Sequence, residues 1–130
     1  MFDKTKIQEI ARVSKTERWP FPKTFDALKN AGVDYYDVDI ATHQITYHGS
    51  GKSFSEPAPT GSPILQVSER FDKQAVQQVI QKHQKEKTSY QDFLEGIAQA
   101  GVRSYRVDMS KRTVAYRGSS PKEEHVEQVP

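Results

Sequence analysis

The sequence predicts an α+β fold, a tandem duplication of an ααββ unit with a mainly antiparallel sheet and helices on one face. Three observations carry this prediction. The chain repeats itself at an offset of 69 residues, each copy passes once from helical to alternating apolar spacing, and both copies place the same start and stop residues at equivalent positions.

Phe2–Ser50 aligns with Phe71–Ser119 without a gap, and 14 of the 49 paired positions are identical. The identities include Phe2-Asp3-Lys4 with Phe71-Asp72-Lys73 and Ala31-Gly32-Val33 with Ala100-Gly101-Val102. Tyr36, Val38, Asp39, Tyr47, Gly49 and Ser50 recur as Tyr105, Val107, Asp108, Tyr116, Gly118 and Ser119. Where the copies differ, the apolar positions keep their character, as with Ile7 and Val76 or Ile45 and Val114. The predicted organisation is one domain over 1–130, with repeats 2–50 and 71–119, a linker 51–70 and a flexible tail 120–130.

In the first helix of each copy, Asp3 or Asp72 serves as N-cap, with Phe2 or Phe71 packing back on Ile7 or Val76. Ile7, Ile10, Ala11 and Val76, Val79, Ile80 form one buried stripe each. The second helix starts at Pro20–Pro22 in copy one and is capped by Ser89 in copy two. Its stripe is Phe21, Phe25, Leu28 or Tyr90, Leu94, Ile97, and Gly32 or Gly101 ends it in the left-handed conformation.

A hairpin follows, with a four-residue loop between Ile40 and Ile45 as the expected register. That register sets Val38 against Tyr47, Tyr36 against Gly49 and Asp37 against His48. Tyr36, Val38, Ile40, Ile45 and Tyr47 then share a core face with Tyr105, Val107, Met109, Val114 and Tyr116 of copy two. The stretch KSFSEPAPTGSP reads as linker, followed by Ile64, Leu65 and Val67 as one extra short strand. The tail SPKEEHVEQVP has no apolar period.

Composition bounds the chemistry. The 130 residues contain no cysteine, which excludes disulfides, a thiolate zinc site and a Cys nucleophile. The charged N-terminal stretch and the lack of any long apolar run argue against export or a membrane span, so the expected location is cytoplasmic. A net charge of +2 is too mild to indicate nucleic acid.

Each candidate motif also has a plainer structural reading. Gly49–Ser53 contains GSGKS-like letters, GSGKS, but a phosphate loop needs a glycine where Thr46 stands and a helix after Lys52, and neither is present. His43 falls in the hairpin turn and His48 on the open face beside Asp37; an Asp37/His48 pair suits general-base work, yet no nucleophile accompanies it, and an exposed ion pair is the plainer reading. No histidine spacing or carboxylate cluster suggests a metal, and no cofactor is predicted. Asp39 and Asp108 form a repeated carboxylate pair that could serve hydrolysis at a suitable separation, but each sits beside a turn where aspartate accepts backbone hydrogen bonds.

Charge patterning gives the sharpest functional clue. Residues 33–49 carry Asp34, Asp37 and Asp39, a balance of −3; residues 102–118 carry Arg103, Arg106, Lys111, Arg112 and Arg117 against Asp108, a balance of +4. In the expected register Arg106 faces Arg117 and requires an anion. That anion is internal, with Asp34 and Asp37 meeting Arg103 and Arg106 about a pseudo-twofold axis, or belongs to another chain, or is a bound anionic small ligand. The tyrosines of the basic hairpin point to the other face, which disfavours nucleic acid.

Phe21-Pro22, then Leu28, Lys29, Gly32 and Val33, then Val38, Asp39, Ala41, Thr42, Thr46, Tyr47 and Gly49 form a pattern that resembles the small bacterial proteins of domain of unknown function 1398, often labelled "phage envelope protein". The resemblance spans essentially the whole chain and implies a duplicated α+β fold of the YbcV-like type, with no established activity. His43 departs from it, standing where a turn glycine is expected.

The sequence therefore favours a non-enzymatic interaction or ligand-binding module that acts through a charged open sheet face, with Arg103, Arg106, Arg117, Asp37 and His48 as candidate binding residues. Its expected partner is a second copy, as a homodimer, or another protein. The alternatives are an enzyme with a small-molecule site between the repeats, using Asp39, Asp108 or His48, and a phage-related structural protein.

Overall fold

The computed structural model describes residues 2–57, 64–86 and 89–129, apart from the side chain of Tyr90. The first repeat gives α1 (Lys4–Thr16), α2 (Phe21–Asn30), β1 (Tyr35–Asp39), β2 (Ile45–Gly49) and β3 (Lys52–Glu56). The second gives α3 (Lys73–Glu86), α4 (Tyr90–Gln99), β4 (Ser104–Asp108), β5 (Thr113–Arg117) and β6 (Glu124–Gln128). Six strands form one antiparallel sheet in the order β3-β2-β1-β4-β5-β6, and the helices come in two pairs, an α+β fold compatible with duplication.

The predicted caps hold the helix ends. Asp3 Oδ1 accepts from Lys6 N–H at 3.1 Å, and Asp72 Oδ1 from Ala75 N–H at 3.1 Å. Ser89 accepts from Asp92 N–H at 3.0 Å to start α4. Gly32 (φ 98°) and Gly101 (φ 92°) end α2 and α4, with Val33 and Val102 N–H bonded to Leu28 and Ile97 carbonyls. Those bonds satisfy carbonyls that a helix end leaves free. Phe2 packs edge-on against Phe54, with ring centroids 5.7 Å apart.

One core joins the helices to the alternate residues of the sheet. Ile7, Phe25, Leu94, Ile97, Val38, Val107 and Met109 are among its fully buried members. Each such side chain contributes about 1.5–3 kcal/mol of transfer free energy, so this side of the sheet orients the whole fold and leaves the other side open.

Each repeat has a third strand, ααβββ rather than ααββ. The expected linker 51–70 begins with strand β3, and the expected flexible tail 120–130 contains β6. Ser50 (φ 51°) and Gly51 (φ 75°) make a two-residue turn from β2 into β3, the hairpin geometry that needs two left-handed residues. The letters GSGKS are that hairpin, which accounts for the absent helix.

In copy two, Gly118 N–H bonds to Glu123 O at 2.8 Å across Ser119–Lys122, a loop two residues longer. That insertion breaks the constant offset of 69 and hides the equivalence of β3 and β6 from a gapless comparison. Phe54 and His125 then correspond, and they rest on the equivalent Tyr47 and Tyr116 at centroid distances of 5.3 and 6.4 Å. Residues 58–63 of the expected linker, and the Tyr90 side chain of the expected stripe, lie outside the described residues. Ile64, Leu65 and Val67 form no strand, although Leu65 N–H reaches Ala41 O at 2.9 Å.

The hairpin register differs from the expected one by two residues. Val38 pairs with Ile45, Tyr36 with Tyr47 and Tyr35 with His48. The four-residue loop is Ile40–His43, closed by Asp39 N–H to Gln44 O at 2.9 Å, with His43 left-handed at φ 64°. Arg112, its repeat equivalent, also takes a left-handed φ of 54°. A shift of two preserves side-chain parity, so the predicted core face survives while the cross-strand partners change.

Candidate functional site

The two repeats meet where β1 pairs with β4. Asp37 stands opposite Arg106, Tyr36 opposite Val107 and Val38 opposite Tyr105. Residue 106 is residue 37 advanced by the repeat offset, so the pseudo-twofold axis passes between Asp37 and Arg106. Ile40 N–H bonds to Arg103 O and Met109 N–H to Asp34 O. By the alternation of an antiparallel ladder, Asp37 and Arg106 then occupy a non-hydrogen-bonded position, where side chains approach most closely.

At that axis Arg106 makes a two-pronged ion pair. Its Nε donates to Asp37 Oδ1 at 2.7 Å and its NH2 group to Oδ2 at 3.1 Å. The guanidinium carbon lies 4.5 Å from the Tyr35 ring centroid, and His48 stacks on the same tyrosine at 4.4 Å with rings tilted by 13°. His48 Nε2 is 3.8 Å from Asp37 Oδ2. The hydrogen bonds that Arg106 donates to the Asp37 carboxylate raise the Arg106 pKa above its ordinary value, opposed by the loss of hydration. All four groups project from the open face. The Asp37 and Arg106 side chains keep 34% and 39% of their exposure, enough for a partner to reach them.

The candidate residues therefore divide. Asp37, His48 and Arg106 come together, but His48 reaches Asp37 diagonally rather than from directly opposite. Arg117 lies on the same face two strands from β1, opposite Ser104 rather than facing Arg106, and donates from Nε to Glu124 Oε2 at 3.0 Å. Arg106 itself faces Ala115 on that side, so the expected arginine repulsion does not arise. Arg103 precedes β4, exposed at the sheet end and beside Ile40, six positions along β1 from Asp34. The expected meeting of Asp34 with Arg103 does not occur; Asp34 instead accepts from Ser50 N–H at 3.3 Å.

Most of the basic excess of copy two is met within the chain. Arg112 binds Asp26 at 3.2 Å and lies 4.8 Å from the Phe25 ring centroid, pinning one repeat's hairpin to the other's helix. The open face carries Asp37, Asp39, Asp108 and Glu124 against Arg106 and Arg117, a formal −2. An anion meets no net positive field there. Tyr35 is the central residue that sequence reasoning missed: its repeat equivalent is Ser104, so the duplication does not mark it, although its parity with Asp37 sets it on the open face.

Asp39 and Asp108 stand at opposite ends of the β1–β4 pair, opposite Ser104 and Tyr35 respectively. Four residues of strand separate them by about 13 Å along the sheet, beyond the roughly 5–9.5 Å of glycosidase carboxyl pairs. Each accepts a backbone N–H of its own turn at 3.0 Å, from Thr42 and Lys111. A shallow hollow of about 260 Å³ over Asp37, Asp39, Gln44, Thr46 and Ser104 contains neither Asp108 nor His48. A second concavity, about 460 Å³, runs along α1 to Trp19, away from all of them.

Among the described residues no group of three or more His, Asp or Glu is placed to hold a metal ion. No described helix is long and apolar enough to cross a membrane. None of the curated proteins matches the sequence. A family model does match, over residues 8–128, nearly the whole duplicated unit: the chain belongs to the family described as "Protein of unknown function (DUF1398)".

Proposed function

We propose that the protein is a non-enzymatic binding module that engages a protein partner through its open sheet face, with Asp37, His48 and Arg106 at the centre and Arg117 to one side. The observation that carries this reading is the Tyr35-centred stack: His48, Tyr35, Arg106 and Asp37 are held by one another while still reachable from solvent. Tyrosine and arginine are the residue types that dominate protein interfaces, and side chains ordered before contact lose less entropy on binding. Arg103 belongs to the sheet end rather than to this centre and serves at most as a peripheral contact.

Six strands at about 4.8 Å spacing and five residues at about 3.4 Å give a face of about 500 Å². That flat projection leaves out the relief of the side chains, and an interface confined to it is of small to standard size against the roughly 800 Å² of accessible surface per partner of a standard complex. The net −2 of the face favours a basic or dipolar surface over an anionic ligand. The enzyme reading has less support, because Asp39, Asp108 and His48 do not share a concavity.

The test uses the purified chain as bait in a lysate of the cells that produce it, in parallel with a Thr46→Gln/Ala115→Gln double variant, which adds uncharged bulk on either side of the Asp37–Arg106 pair and leaves the core and the charge of the face unchanged. Hydrogen exchange is then measured on the chain in the captured complex. Proteins lost with the variant, and protection confined to 35–39, 44–48, 104–108 and 113–117, support the proposal. Identical capture by both chains, or protection on the helices, overturns it.

A further inference from the structure

The sheet ends at β6, and its backbone has a free side. Gly118 N–H bonds to Glu123 O and Val129 N–H to Arg112 O, which fixes the phase of the β5–β6 ladder. By alternation His125 and Glu127 turn their N–H and C=O groups toward β5, while Glu124, Val126 and Gln128 turn theirs outward. Among the described residues no other element pairs with that side. Val126, at the middle of the strand, is 48% exposed, one of three large apolar side chains so exposed among the described residues. An open edge carrying an apolar centre is a template for another strand.

We propose that a second copy of this chain occupies this edge, with β6 paired antiparallel to β6 about a twofold axis at Val126. The phase of the free groups allows twofold pairings centred on Glu124, His125, Val126, Glu127 or Gln128. Centring on Val126 engages all three outward residues of both copies and makes six interchain hydrogen bonds; centring on His125 or Glu127 engages two and makes four. The sequence Glu-His-Val-Glu-Gln is self-complementary in the Val126 register. Val126 meets Val126, Glu124 meets the neutral Gln128, and His125 meets Glu127, so no like charges face each other. Cross-strand pairs of these kinds stabilise a ladder, whereas like charges oppose it. Centring on His125 instead sets Glu127 against Glu123.

His125 already binds Glu127 of its own strand, at 2.5 Å, so the same carboxylate would stand between two imidazoles across the axis. The other sheet edge, β3, runs directly into residues 58–63 and supports no comparable argument. The interface is an edge and not the open face, so it stands or falls independently of the face as a binding surface. Its geometry sets two open faces side by side in one twelve-stranded sheet.

Light scattering on size-exclusion fractions over a concentration series reads the association. The wild-type chain is expected at twice 14.8 kDa. Val126→Lys sets two cations across the axis, and Val126→Pro removes an outward N–H that β5 does not use; both are expected at the mass of one copy, with unchanged circular dichroism. Ser55→Lys on β3 is expected to leave the dimer intact. Because the chain has no cysteine, Val126→Cys is expected to give a single covalent dimer on mild oxidation. A wild-type monomer at every concentration, a dimer that survives Val126→Lys, assembly beyond two copies, or no covalent dimer from Val126→Cys would each overturn the proposal.

Discussion

The Asp37–Arg106 pair offers a quantitative prediction, because a repeat equivalent paired with itself must be self-compatible or must diverge. In an assembly of two identical copies, two aspartates or two arginines would face each other at this axis, and the fused chain avoids that by carrying one of each. Exposed ion pairs couple by about 0.2–1 kcal/mol, and a bidentate pair on ordered strands belongs near the upper end, about 1 kcal/mol. Arg106→Ala also removes the guanidinium from Tyr35, adding about 0.5–1 kcal/mol. With about 2.1 cal/mol/K per residue of unfolding entropy, 1 kcal/mol moves the midpoint of this chain by about 4 °C.

Asp37→Ala should therefore lower Tm by about 4 °C and Arg106→Ala by about 6–8 °C, with the double variant short of additivity by about 1 kcal/mol. Asp37→Arg should cost more than Asp37→Ala, since it sets like charges directly opposite, and adding Arg106→Asp should recover most of the loss. Urea unfolding at several pH values is the assay. Because the Arg106 pKa is raised, its contribution is fully present below the ordinary arginine value and is lost only as pH rises through the raised one. The coupling should then be constant from neutral to mildly alkaline pH. Additive single variants, or a swapped pair no more stable than Asp37→Arg alone, would refute the reasoning.

Other perturbations follow from the same geometry. A Cβ on Gly49 would lie 2.1 Å from Gly32 O, while one on Gly118 meets the Glu123 side chain at 2.8 Å and Phe71 at 3.0 Å; Gly49→Ala should cost about 2–3 kcal/mol in urea unfolding, and Gly118→Ala distinctly less. His43 holds a left-handed φ of 64° with its buried Nε2 unpartnered, so His43→Gly should stabilise by about 0.5–1 kcal/mol, read as a higher Tm. Deleting residues 120–130 strips β6 and removes buried His125 and Val129 from the core; the truncated chain should lose about 3 kcal/mol or more and show a lower urea midpoint.

Much of this fold was legible because it rests on local chemistry repeated twice. The caps at Asp3, Asp72 and Ser89, the left-handed stops at Gly32 and Gly101 and the parity of Tyr36, Val38, Val107 and Tyr116 are each determined by a few neighbouring residues. The third strands were not legible. Lys52–Glu56 and Glu124–Gln128 are polar edge strands with one inward side chain of note, Phe54 or His125, and the longer loop in copy two conceals their equivalence.

The register differs because the position of a four-residue loop depends on which residue takes a left-handed φ; a histidine side chain does not mark that position, and the turn glycine that the family resemblance expects at 43 is the one signal for it. For the site, opposite signs in the two hairpins leave an internal, an interchain and a ligand counter-charge open, and the structure joins one internal pair, Asp37 with Arg106. Only the pairing of β1 with β4 selects Asp37 with Arg106 and separates Asp34 from Arg103. The Glu124 that satisfies Arg117 lay in a segment read as tail, so Arg117 looked freer in sequence than it is in the fold.

The two repeats meet at residue 37 and its own equivalent, in the middle of one sheet. Replacing both Asp37 and Arg106 by cysteine in a chain that has none tests this directly, because non-hydrogen-bonded antiparallel partners stand about 4.5 Å apart between Cα atoms, within disulfide reach. Mild oxidation of the Asp37→Cys/Arg106→Cys variant should give an intrachain disulfide at the mass of a single copy. Free thiols that resist oxidation in the folded protein, or bridges formed only between chains, would contradict it.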